Sequence, residues 1–105
     1  MVAGLLDRAT AETYASWFRA LADPSRVQIV EYLARHGRPI SVGEIVAAVG
    51  LAQSTVSQHL KILAEVRFVL ADAVGNARHY RVNQACVSCF PSAADIVMGR
   101  PAPSR

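Results

Sequence analysis

The stretch Ser41–Lys61, SVGEIVAAVGLAQSTVSQHLK, limits what this chain can become, because it spells two short helices with a tight turn between them. Ser41 followed by Glu44 is a capping-box pair, in which the serine oxygen and the glutamate carboxylate satisfy the first free backbone N–H groups. Ile45, Val46 and Val49 give the first helix an apolar side, and Gly50 supplies the left-handed residue that ends it. From Gln53 the pattern restarts, with Val56, Leu60 and Leu63 spaced toward a core. Around them stand Gln53, Ser54, Thr55, Ser57, Gln58, His59 and Lys61, with no acid until Glu65. Amides and hydroxyls can read base edges on the floor of a DNA major groove, where carboxylates would meet phosphate repulsion. A solvated helix face can carry the same inventory; the helix–glycine–helix context favours DNA.

Charge supports that reading through its placement. Residues 1–52 carry five arginines and five acids, which cancel, so the whole net charge of +3 resides in residues 53–105 with the polar helix. A nucleic-acid surface needs a cationic half of this kind. The chain has 105 residues, 52% of them apolar, enough for one core and one domain over residues 1–98. A single core of this size is marginal, which favours an oligomer that shares apolar helices. The tail 99–105, GRPAPSR, is expected to fray and is read as disordered. The start has no basic n-region or long apolar run, and no stretch is long enough to span a bilayer. With only Cys86 and Cys89 there is no disulfide framework, so a cytoplasmic protein with reduced thiols is expected.

Taken in order, residues 1–8 read as a loose lead-in and a helix is predicted from about Ala9 to Ala22. Tyr14, Trp17, Phe18 and Leu21 share one side of it, either as core or as a subunit interface. Asp23-Pro24 predicts a capped start for a second helix to about Arg35, with Val27, Val30 and Ala34 on its apolar face and Ile29 and Leu33 widening it. After the two-helix unit, Phe68–Ala73 reads as a strand and Val74-Gly75-Asn76-Ala77 as a turn. Arg78, Tyr80 and Val82 then alternate with His79 and Arg81 in a second strand. This hairpin beside a helix-turn-helix is a wing, and Arg78 can reach a phosphate or the minor groove; ordinary solvated strand charge is the other reading. Asn83 caps a last segment, Gln84–Met98, in which Pro91 must kink the helix or open a later one. The fold class is mainly α with a β-hairpin wing, a winged helix-turn-helix of order α-α-α-α-β-β-α.

These motifs resemble the ArsR/SmtB family of winged-helix repressors over about Glu12–Met98. The resemblance rests on FRALADPSR at Phe18–Arg26 and LAQSTVSQHLK at Leu51–Lys61, and less strictly on Gly75–Tyr80. It implies a homodimer whose first and last helices form the interface, here Tyr14, Trp17, Phe18, Phe90 and Ile96. It also implies that Gln53–Lys61 of two subunits lie in successive major grooves of double-stranded operator DNA, and that an inducer releases the repressor. The chain departs from the family pattern at Ala52, where serine often caps the recognition helix and where Gln53 or Ser54 is left to take over. It departs again at Arg67, where the turn into the wing commonly carries glycine.

The inducer is not legible from the DNA-reading half. Residues 41–44, which hold a cysteine pair in arsenic sensors of that family, contain no thiol, and the last segment offers only Asp95 toward a zinc or nickel site. Cys86-Val87-Ser88-Cys89 remains, two thiols three apart near a helix start, where thiol pKa falls. Three readings stay open: an inducer site for a thiophilic ion such as As(III), Sb(III) or Cd(II), a dithiol–disulfide switch, and two small buried apolar residues. No cofactor is required. No nucleophilic triad, phosphate-binding glycine loop or acid pair suggests an enzyme, and the CxxC lacks a βαβ context. A winged-helix module that binds only proteins is the competing function.

Overall fold

Residues 6–99 are described by the computed structural model, with 86–92 described by backbone alone. The elements are α1 (Arg8–Ala20), α2 (Pro24–His36), β1 (Ile40–Ser41), α3 (Val42–Val49), α4 (Gln53–Glu65), β2 (Val69–Val74), β3 (Ala77–Val82) and α5 (Gln84–Val97). The mainly helical fold with a hairpin wing is present, with one strand more than the sequence suggested. β1 lies against the outer edge of β3, Ile40 opposite Tyr80 and Ser41 opposite His79, in an antiparallel sheet of order β1-β3-β2. The order is therefore α-α-β-α-α-β-β-α. A two-residue strand has no period to read and exists only through its distant partner.

Local chemistry sets the helix starts. Asp7 accepts the Thr10 N–H at 2.8 Å, so α1 begins at Arg8, inside the expected lead-in. Asp23 accepts from the Ser25 and Arg26 N–H groups and Pro24 fills the first helical position, as its missing N–H allows. Ser41 Oγ accepts from the Glu44 N–H at 3.1 Å, and the Glu44 carboxylate turns to the Ser41 hydroxyl and to Arg38. Asn83 accepts from the Ala85 N–H and starts α5, which runs as one helix through position 91.

The core joins every layer: Ile29 and Leu33 of α2, Ile40 of β1, Ile45 of α3, Leu60 of α4 and Val69 of β2 are all buried. On α2 this corrects the expected face. Ile29 and Leu33, one turn apart, hide more apolar area than Val27 and Ala34 would, and the helix is rotated to bury them, leaving Val27 48% exposed. The wing closes through Gly75 (φ 61) and Asn76, with Val74 opposite Ala77, as a glycine-first two-residue hairpin turn.

The end of α4 holds a device invisible in the sequence. The Arg67 N–H donates to the Ala64 carbonyl (3.1 Å) and the Phe68 N–H to the Leu63 carbonyl (3.0 Å), the paired bonds of a Schellman motif. Phe68 and Leu63 are both buried in the same apolar cluster, as such a motif favours. The motif needs a left-handed residue, and Arg67 provides it at φ 67, the one non-glycine positive φ among the described residues. Asn83 then binds this turn to the next element: its Nδ2–H donates to the Arg67 carbonyl and its backbone N–H to the Phe68 carbonyl. The departure at Arg67 thus keeps the glycine's conformation and accepts its strain, about 1–2 kcal/mol for a residue with a Cβ. Arg67→Gly is expected to raise unfolding free energy in urea by about 1 kcal/mol, less the extra chain entropy of glycine; an unchanged or lower midpoint would show that the arginine side chain offsets the strain.

Candidate nucleic-acid interface

The helix-turn-helix is α3, the turn Gly50–Ala52, and α4. Gly50 (φ 73) donates its N–H to the Val46 carbonyl, ending α3, and α4 starts at once with the Val56 N–H on the Ala52 carbonyl. Val56, Leu60 and Leu63 are fully buried, which decides the side of α4 that faces the core. With successive residues about 100° apart around a helix, Ser54, Gln58 and Lys61 stand opposite that stripe. They are exposed, as are Gln53, Thr55 and Ser57, and no carboxylate lies among them. Among the described residues none of these six makes a side-chain hydrogen bond or ion pair.

His59 is different. Its position falls only about 60° from the buried stripe, and its side chain is 14% exposed. Nδ1 lies 3.2 Å from the Arg26 guanidinium and Nε2 lies 4.0 Å from the Asp23 carboxylate, both outside α4. The helical angle was the available signal for this inward turn; the partners, more than thirty residues earlier, were not legible. Asp23 is itself held below the usual carboxylate range, chiefly by the Arg26 backbone N–H, against some desolvation, with help from the Ser25 N–H and the nearby Arg26 guanidinium.

Ala52 is the N-cap of α4 and no side chain caps it. Gln53 and Ser54 do not take over, so the first-turn N–H groups lack a side-chain acceptor. A helix start left in this state presents donors and a positive dipole end to any phosphate that approaches. In the wing, Arg81 is bound to Asp72 at 2.8 Å, whereas Arg78 is exposed beside the Gly75–Asn76 turn and makes no such pair among the described residues.

Away from this surface a cavity of about 500 Å³ opens between α1 and α5, lined by Leu6, Tyr14, Phe18, Ile96 and Val97 among others. Phe18 (36%) and Ile96 (38%) are exposed there. Three of the residues expected at a subunit interface, Tyr14, Phe18 and Ile96, are therefore brought together. Trp17 instead packs against the core, its ring centroid 5.4 Å from that of Tyr14. The Phe90, Cys86 and Cys89 side chains and the tail from residue 100 lie outside the described residues. Among the described residues no three His, Cys, Asp or Glu side chains converge on a possible metal site, and no helix is long and apolar enough to cross a membrane.

A bare polar helix after a glycine turn, flanked by a hairpin with a cationic tip, defines a winged helix-turn-helix protein. Residues 23–70 match the family model described as bacterial regulatory protein, arsR family. The chain is 36% identical over 87 residues to the HTH-type transcriptional regulator Rv0081 of Mycobacterium tuberculosis, covering 82% of this chain and 75% of that one. It belongs to the ArsR family. It is also similar to a probable mercury resistance operon repressor of Streptomyces lividans, 36% identical over 87 residues, covering 83% of this chain and 63% of the relative. Among solved structures, the homodimeric winged helix-turn-helix DNA-binding domain of Mb0332 from Mycobacterium bovis superposes with a TM-score of 0.70 at 29% identity, covering 92% of this chain and 90% of that one. The chain spans about three-fifths of the length of several curated relatives that it matches.

The Asp23 cap yields a pH prediction. Its folded pKa is depressed, so its stabilisation is full above the ordinary carboxylate value of 3.8 and is lost as pH falls below it. Asp23→Ala should lower the thermal midpoint at neutral pH, and the gap to wild type should close in acid below that value; a gap constant with pH would remove the carboxylate charge from the effect.

Proposed function

We propose that this chain is a dimeric repressor that binds double-stranded operator DNA through α4 and the wing and is released by a thiophilic ion at Cys86 and Cys89. The observation that carries the DNA reading is the surface of α4, where six polar side chains without a carboxylate stand exposed, Ser54, Gln58 and Lys61 of them opposite a fully buried stripe. Gln58 and Gln53 offer amides that can pair with adenine edges, Ser54, Thr55 and Ser57 offer hydroxyls, and Lys61 and Arg78 offer cations to phosphate. The uncapped start of α4 adds backbone donors to the same surface. A second copy covers the apolar cleft of Tyr14, Phe18 and Ile96, which places two α4 helices for half-sites one DNA turn apart. The homodimeric Mb0332 domain supports that assembly.

For the inducer, the donor set supports a class. Cys86 and Cys89 are three apart within the first half of α5, a spacing that puts two residues on neighbouring positions of one helix face. Two soft thiolates select As(III), Sb(III), Cd(II) or Hg(II) over hard cations, and a relative named for mercury resistance supports that class. Cys86 and Cys89 would hold the ion, which would supply thiolate bonds at α5; as α5 is proposed as an interface helix, such binding would repack the dimer and shift both α4 helices.

A gel shift on the DNA upstream of its own gene tests this, repeated with As(III), Cd(II), Hg(II), Zn(II) and an oxidant. Wild type should bind with steep salt dependence. Gln58→Ala should cost about 1–3 kcal/mol and relax preference at one base pair, and Arg78→Ala should reduce the salt slope by about 1. Binding that is flat with salt and indifferent to Gln58→Ala would replace the repressor reading with a protein-interaction module. Cys86→Ser should bind operator and resist release by a thiophilic ion; release by oxidant alone would make the thiols a redox switch, and release that persists in the variant would remove them from the mechanism.

A further inference from the structure

One guanidinium joins three elements of this fold. The Arg26 Nε–H donates to the carbonyl of Ala20, the last residue of α1, and its Nη1 lies 3.2 Å from His59 Nδ1 in the middle of α4. Its backbone N–H, at the start of α2, donates to Asp23 Oδ1 at 3.2 Å. Arginine has donors only, so His59 Nδ1 must accept, which makes the ring the neutral tautomer with its proton on Nε2. That Nε2 faces Asp23. Both ring nitrogens are thus directed at groups outside α4, with the ring partly withdrawn from solvent.

The bond supplies something the core does not. Val56, Leu60 and Leu63 hold α4 by burial, which is non-directional and tolerates small rotations about the helix axis. A charge-assisted hydrogen bond from a planar fork has a preferred direction. The Ala20 carbonyl is among the last four of α1, which lack helical partners and take one where it is offered. Arg26 therefore ties the end of the helix that lines the apolar cleft to the flank of the helix that carries the polar face.

We propose that His59 is a positioning residue: the Ala20–Arg26–His59 bracket sets the rotation of α4 against the end of α1, and so sets how Ser54, Gln58 and Lys61 are presented. The proposal rests on the reading of α4 as the DNA-binding helix. It removes His59 from the residues that touch DNA and adds Arg26, which touches none, to those that govern affinity. It also links the end of α1, a helix that lines the apolar cleft, to α4 by two hydrogen bonds of a single side chain.

Operator binding by Arg26→Lys, His59→Leu and their double variant tests this, with urea unfolding to confirm that each folds. Lysine keeps the charge but cannot serve two acceptors from one planar fork. Each single variant should bind about tenfold more weakly, as expected for a hydrogen bond to a charged group, and the double variant about tenfold as well rather than a hundredfold. Salt slope and base preference should match wild type. His59→Asn, whose Oδ1 can accept from Arg26, should recover affinity to within about threefold. Additive losses, wild-type binding by Arg26→Lys, an altered preference at one base pair in His59→Leu, or an asparagine variant as weak as the leucine one would each overturn the proposal. Absence of salt-dependent binding by wild type would instead overturn the DNA reading on which it rests.

Discussion

Three side chains of α4 must stay out of water while the residues beside them stay in it. Complete burial of Val56, Leu60 and Leu63 stabilises the fold by roughly 5–9 kcal/mol at about 1.5–3 kcal/mol each. A thirteen-residue helix would be marginal alone in water, so that burial is what makes α4 a helix and what decides which face remains bare. The polar face owes its order to the apolar one. Substitutions among Ser54, Gln58 and Lys61 can change the chemistry of that face without touching the core beneath it.

Much of this was legible because the signals are local. Asp23, Ser41 and Asn83 each bond to a backbone N–H within three residues, and Gly50 and Gly75 take the left-handed conformations their contexts ask for. What escaped is non-local. β1 depends on β3, and the face of α2 depends on which apolar residues the other layers cover, which periodicity alone does not rank between Ile29 and Leu33 on one side and Val27 and Ala34 on the other. Arg67 was recognised as a departure, but its left-handed φ follows from a bond to Leu63 and Ala64 that composition cannot show. His59 was grouped with its polar neighbours by residue type, whereas its angle on the helix placed it nearer the core.

The molecule separates its tasks by element. α4 and the wing carry the polar and cationic groups suited to DNA, and α1 with α5 carries the exposed apolar surface suited to a second copy. The two surfaces meet at the α1–α2 corner, where Asp23 and Arg26 of the ALADPSR stretch lie against His59. That stretch, whose Asp23 read at first as a helix start, is therefore also a joint.

One consequence concerns where the chain can change length. Ser41 is at once the cap of α3 and a rung of the sheet opposite His79, so the linker from Gly37 to Ser41 is measured at both ends. An added residue there would shift Ile40 off Tyr80 and turn its side chain out of the core, because strand neighbours face opposite ways. Among the described residues the Gly75–Asn76 tip has no comparable anchor. A change in the reach of the wing can be absorbed at that tip, whereas the short linker behind α2 can gain no residue without moving Ile40 out of register.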